Sequence, residues 1–131
     1  MQERQAIQDS ISKIEERRRE TFMKTMTSVA KNFRDVYKEL TGGEAELVLE
    51  DPKTIDTGLL IKASPKGKRL LTIDSMSGGE KTLTAFSFLF ALQKHNPAPF
   101  YILDEADATL DKVNTQRVVN LIKKHSTGAQ F

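Results

Sequence analysis

Apolar residues fall at Ile7, Ile11 and Ile14, then at Phe22, Met26, Val29, Phe33, Val36/Tyr37 and Leu40, mostly in steps of three and four. That spacing marks one face of a long helix, and residues 3–40 hold no Gly or Pro to interrupt it. Arg18 stands where a further apolar residue is expected. The first half of the face is thin and the second rich. This pattern predicts a helix that leaves a globular body, with a free end suited to a coiled-coil partner; a plain surface helix is the competing reading. Gly42-Gly43 ends it.

The period then changes to two. Leu47 and Leu49 set the alternation in residues 45–50, and Leu59, Ile61 and Ala63 set it in residues 58–64. Asp51-Pro52-Lys53 and Asp56-Thr57-Gly58 supply turn chemistry between them, so an antiparallel pair is expected. Pro65-Lys66-Gly67-Lys68 reads as a loop and Leu70–Ile73 as a short strand. Residues 77–95 are apolar nearly all round (Leu83, Phe86, Phe88, Leu89, Phe90, Leu92), the pattern of a buried helix. Asn96-Pro97-Ala98-Pro99 stops it. The continuous apolar run Phe100–Leu103 predicts a central parallel strand covered on both faces. Asp111 is placed to cap a last helix running to about His125. Its apolar positions Val113, Val118, Leu121 and Ile122 lie largely on one face, and Lys123, Lys124 and His125 suit its C-terminal dipole. A further strand is expected to start at Ala129-Gln130-Phe131. Phe22, Phe33, Phe86, Phe88 and Phe90 are assigned to the core.

Composition narrows the function. The 131 residues suffice for one domain with a core, and the net charge is only +2. Lys+Arg against Asp+Glu is 9 to 7 over residues 1–40 and 11 to 11 over residues 41–131. No broad basic field exists, which argues against a stand-alone nucleic-acid binder. Arg17-Arg18-Arg19 is flanked by Glu15, Glu16 and Glu20 and reads as a solvated helix face rather than a DNA contact. With no cysteine there is no disulfide or thiolate metal site, and His95 and His125 are too far apart to suggest one. The longest apolar run, Phe88–Leu92, is too short to span a bilayer, so a cytoplasmic protein without a membrane partner is expected.

Two clusters carry candidate chemistry. Ser77-Gly78-Gly79-Glu80 is a capping box, with Ser at the N-cap and Glu three residues on. Each glycine in a first helical turn costs up to about 1 kcal/mol relative to Ala. Close approach of an anion to unshielded N–H groups is one use for that cost; Ser77 would add a hydroxyl and Lys81 a cation. The capping and phosphate readings are compatible. About twenty residues on, Asp104-Glu105 ends the apolar run, where open α/β sheets place ligands. One carboxylate could hold Mg²⁺ and the other orient and deprotonate water; two acids that merely open a loop are the plain alternative. Asp107 and Asp111 add negative charge close by. Ala108-Thr109-Leu110-Asp111 taken alone is a turn with an N-cap.

Taken together, these elements resemble the ABC-type ATPase heads, and among them the C-terminal half-head of the SMC (structural maintenance of chromosomes) family. Ser77-Gly78-Gly79-Glu80-Lys81 matches the signature motif, with Met76 in place of the usual leucine. Phe100–Glu105 matches the Walker B strand plus catalytic glutamate, and Asp107-Ala108-Thr109-Leu110-Asp111 matches the D-loop. Pro97-Ala98-Pro99-Phe100-Tyr101 and Gly58-Leu59-Leu60-Ile61 are similar to SMC proteins rather than transporters. Related coiled-coil repair ATPases share the signature and the acids but usually lack the proline-rich lead-in. The resemblance covers about residues 20–131.

It implies an α/β fold, the C-terminal lobe of an ABC-type P-loop NTPase head (a mixed sheet flanked by helices) with a long N-terminal helix from the coiled-coil arm. Residues 1–40 would be the arm end and residues 41–131 the half-head. ATP and Mg²⁺ are the implied cofactors. Ser77 and Gly79 would contact the γ-phosphate of an ATP held by the opposite head, within a signature Ser77–Lys81. Asp104 would serve Mg²⁺, Glu105 would be the general base, and the D-loop residues Asp107, Ala108, Leu110 and Asp111 would reach the dimer interface. The implied partners are the N-terminal half of the same head, a second SMC head, a kleisin subunit and DNA, with a chromosome-associated location. No Walker A loop is present and the residues stop before a switch histidine, so a fragment or one chain of a split head is expected, poorly able to hold ATP alone. The alternatives are the head of a related repair ATPase and a non-enzymatic kleisin-docking or coiled-coil scaffold.

Overall fold

A computed structural model describes residues 2–131, with side chains from Arg4 onward. Helix α1 runs unbroken from Gln2–Thr41. Gly42, at φ 73°, adopts the left-handed turn that stops it, and its N–H donates to the Lys38 carbonyl at 2.8 Å, a closure glycine adopts without strain. The α1 side chains of residues 4–21 are exposed, with Ile7, Ile11 and Ile14 at 61%, 50% and 67%. From Val29 onward the same helix is core: Val29, Phe33, Val36, Tyr37 and Leu40 are all buried.

Strands β1 (Glu44–Leu49), β2 (Leu59–Ser64) and β3 (Leu71–Thr72) form one antiparallel sheet in that order. Leu47 pairs with Ile61, and Ala45 with Ala63. Period-two alternation sends Ala45 and Leu47 to the face that α1 covers. A short 3₁₀ turn, Ile73–Ser75, leads into helix α2, Gly78–His95, and helix α3 spans Lys112–His125.

Two apolar clusters meet along α1. Val29, Phe33 and Tyr37 join Ala45, Leu47, Ala63, Met76 and Ala91. Val36 and Leu40, on the neighbouring stripe, join Leu83, Phe86, Phe90, Val118 and Leu121. The buried hydroxyls on α2 are satisfied locally: Thr84 and Ser87 donate to the Glu80 and Leu83 carbonyls, each at 2.8 Å.

Three expectations are corrected. Phe100–Leu103 is not a covered central strand. It makes one parallel bridge, Phe100 to Gln130, and Phe100 and Ile102 are 61% and 85% exposed. A parallel strand needs neighbours on its edges and layers on its faces; among the described residues the run has the Gln130 bridge on one edge, the second cluster against Leu103, and Phe131 stacked on Tyr101 at 5.2 Å. Helix α2 is apolar all round yet buried on one side only. Ala85 and Leu92 are exposed, and with Phe88 and Leu89 they line an open groove of about 530 Å³. Val113 is 63% exposed, because at 100° per residue it lies about 140° round α3 from Val118.

Candidate functional site

The start of α2 and the loop after Leu103 come together in this structure. Met76 is anchored in the core at 6% exposure, with the Thr84 hydroxyl 3.3 Å from its sulfur. Ser77 and Gly78, directly after it, face solvent. Ser77 is the N-cap, and the Glu80 carboxylate reaches back to accept from its backbone N–H at 3.1 Å. The first intrahelical bond is from Lys81 N–H to the Ser77 carbonyl, 2.8 Å. Gly78 and Gly79 N–H therefore stand in the first turn, without intrahelical partners. Lys81 is exposed.

Glu80 is held from a second side. Lys68, from the β2–β3 loop, places its Nζ 2.5 Å from the other carboxylate oxygen. The Ser64 hydroxyl bonds to the Lys68 carbonyl and steadies that loop. The Lys68 ammonium, and then the Ser77 N–H, hold the Glu80 carboxyl below the usual carboxylate range.

Asp104, Glu105, Asp107, Ala108 and Asp111 are exposed, and Leu110 packs half-buried against the second cluster. Glu105 has φ 48°, the only non-glycine residue with positive φ among those described. Short turns follow, with Ala108 N–H to the Glu105 carbonyl at 3.2 Å and Leu110 N–H to the Asp107 carbonyl at 2.9 Å. The Asp111 carboxylate caps α3 by accepting from Asn114 N–H at 2.8 Å. Among the described residues no hydrogen bond engages the carboxylates of Asp104, Glu105 or Asp107, and no group of three His, Cys, Asp or Glu is placed to hold a metal.

Thr109, which sequence reasoning left without a role, joins the two clusters. Its hydroxyl is 2.6 Å from that of Thr82 on α2, and Thr82 in turn donates to the Gly78 carbonyl at 3.1 Å. A Cβ on Gly79 would lie 3.3 Å from the Thr109 carbonyl oxygen, whereas one on Gly78 would meet only the Thr109 side chain, at 3.8 Å. One reason for a bare Gly79 is thus close approach within this chain, and Gly78 remains free toward solvent. Thr82, Glu105 and Thr109 all line the groove left open by α2.

Away from this site, the basic cluster divides. Arg18 pairs with Asp56 at 2.5 Å, and Arg19 donates to the Lys53 carbonyl at 2.7 Å and that of Pro52 at 3.3 Å. Arg18 interrupts the apolar stripe because α1 meets the β1–β2 loop there, not the core. His95 bonds the Ser28 hydroxyl at 3.1 Å. His125 sits 5.3 Å from the Phe90 ring, and burial, then Lys94, pushes it below the ordinary histidine value. Burial pushes the Tyr37 phenol up.

A family model described as RecF/RecN/SMC N terminal domain matches residues 12–131. The chain belongs to this family. It is 51% identical over 122 residues to the chromosome partition protein Smc of Methanocaldococcus jannaschii, covering 92% of this chain and 10% of that protein. The chain thus spans about a tenth of the length of such relatives. The Smc head domain of Pyrococcus furiosus, solved with an extended coiled coil and bound to the C-terminal domain of ScpA, superposes with a TM-score of 0.90 at 46% identity, over 97% of this chain and 32% of that one. A chain from a structural study of ATP-driven dimerization and DNA-stimulated activation of SMC ATPases gives a TM-score of 0.79 at 48% identity, over 86% and 69%. The fold is that of the corresponding part of an SMC ATPase head. Among the described residues no helix is long and apolar enough to cross a membrane.

Proposed function

We propose that this chain is the signature-bearing half of an SMC ATPase head, in which ATP binding and hydrolysis between two engaged heads drive chromosome organisation on DNA. The observation that carries this reading is the placement of a helix start, solvent-open at Ser77 and Gly78 and half-buried at Gly79, against the loop that bears Glu105. Residues 1–40 form the arm end where it enters the head, and residues 41–131 form the half-head. The partners are the Walker A half of the same head, a second head, a kleisin subunit and DNA; the Smc head relative solved with ScpA supports the kleisin.

The residues fit a nucleotide presented from outside. The first turn of α2 offers unpartnered N–H groups and the positive end of a helix dipole, while this chain supplies no phosphate cradle of its own. Bound Mg-ATP would supply the electrophilic phosphorus and a divalent charge. Mg²⁺ takes one or two carboxylates and completes its shell with phosphates and water, so Asp104 would serve as a carboxylate ligand. Glu105 orients the attacking water and accepts its proton. Ser77, Gly78 and Gly79 grip the terminal phosphate of the neighbouring head's nucleotide; Glu80 holds their turn, and Lys81 adds a cation. Asp107, Ala108, Leu110 and Asp111 face the second head.

The test is ATP titration of this chain with and without the polypeptide carrying the Walker A loop. Hydrolysis should arise only in the joined head, where Glu105→Gln lowers turnover by about 10²-fold or more and retains ATP-driven pairing. Gly78→Ala fits the folded chain and should leave it as stable or more stable by up to about 1 kcal/mol while weakening pairing. Full hydrolysis by the Glu105→Gln head, or full pairing by the Gly78→Ala head, would remove those residues from their roles.

A further inference from the structure

The Thr82–Thr109 hydroxyl pair deepens this reading and rests on it. Thr82 stands one turn inside α2, and its hydroxyl touches both the Gly78 carbonyl, at 3.1 Å, and the Thr109 hydroxyl, at 2.6 Å. Thr109 lies in the loop between Asp107 and Asp111, with its backbone carbonyl against Gly79. Both ends of the pair are therefore pinned. The Asp111 cap and the Leu110 contact with the second cluster hold the loop, and Met76 and the Glu80–Lys68 pair hold the helix start. The threonine pair is the only side-chain hydrogen bond joining these two motifs among the described residues.

We propose that Thr82 and Thr109 are positioning residues that make the phosphate-gripping turn and the loop after Glu105 move as one piece. A second head that shifts Asp107 or Asp111 would then shift Gly78 and Gly79 with it. Neither threonine need touch nucleotide. One hydroxyl donates to the other, and the acceptor's own proton goes to the Gly78 carbonyl when Thr82 is the acceptor.

The experiment uses the complete head with its Walker A half and compares Thr82→Ala, Thr109→Ala, the double variant, Thr82→Ser and Thr109→Ser. The expected result is a fall in kcat of about three- to tenfold in each alanine variant, the size of one neutral hydrogen bond, with KM for ATP unchanged. The double alanine variant should be no slower than either single one, and serine, which keeps the hydroxyl, should restore the rate. Unchanged kcat in the alanine variants, additive losses in the double variant, or a matching rise in KM would overturn the coupling. Glu105→Gln in the same head separates the two levels. If it too hydrolyses normally, the ATPase reading itself fails; if it is inactive while the threonine variants are not, only the coupling fails.

Discussion

Glu105 is the residue at which local physics and chemistry disagree. Its backbone is left-handed, φ 48°, a region that costs an L-residue about 1–2 kcal/mol. A glutamate there is retained against its conformational preference, as residues at functional sites often are. Glycine adopts that φ freely but has more freedom to lose on folding, about 0.5–1 kcal/mol. Glu105→Gly should therefore stabilise the fold by about 0.5–1 kcal/mol in denaturant titration while abolishing turnover in the joined head. Glu105→Gln keeps both the Cβ and the strain, and its stability should stay within about 0.5 kcal/mol of the parent. A glycine variant less stable than the glutamine one would mean that neighbouring contacts, not strain, define this turn. Nothing in the residue pattern foretold the angle, because glutamate is an ordinary residue after an apolar run.

At the level of elements, the helices were legible because their ends are written in local chemistry. Ser77 and Asp111 cap α2 and α3, and Gly42 closes α1. The β1–β2 pair was legible from period-two alternation between turn residues, and Leu70–Ile73 resolves into a two-residue strand and a 3₁₀ turn. The Phe100–Leu103 strand failed for a nonlocal reason: a strand exists through its partners, and apolarity cannot say whether they are present. The candidate acids and Gly78-Gly79 were visible as residue types in order. Lys68 and Thr109 were not, since their roles arise from a loop folding back onto α2. The Lys68–Glu80–Ser77 chain has a pH consequence. The Glu80 carboxyl is held below its ordinary range, so its contribution to stability is fully present above the unfolded-state value and is lost as pH falls through the folded-state value. Lys68→Met removes the largest cause of that depression. The variant should be less stable near neutrality by the small amount expected of a half-exposed pair, its acid unfolding limb should move to higher pH, and the two stabilities should converge once pH is below the folded-state value. Coincident acid limbs for parent and variant would show that Lys68 does not hold Glu80 in solution.

At the level of the whole molecule, the buried half of α1, residues 29–40, is shared between both apolar clusters and so packs with α2 as one body. On the opposite side, Ala85, Leu89, Leu92 and Leu103 line the groove of about 530 Å³, and Phe100 and Ile102 are exposed along an edge with unpaired backbone groups. Contiguous apolar surface next to an unpaired edge invites association, and under the proposed function the Walker A half of the head would cover it. The isolated chain should self-associate and bind a hydrophobic dye, and addition of the Walker A polypeptide should suppress both. Ile102, at 85% exposure, makes the sharpest probe because little within this chain touches it. Ile102→Ser should leave the thermal unfolding of the isolated chain nearly unchanged and reduce its self-association. It should also weaken complementation by about tenfold or more, the cost of leaving one large aliphatic side chain's worth of interface unfilled. If the serine variant is complemented as tightly as the parent, the open edge is not where the two halves of the head meet, and the partner must close the molecule from another side.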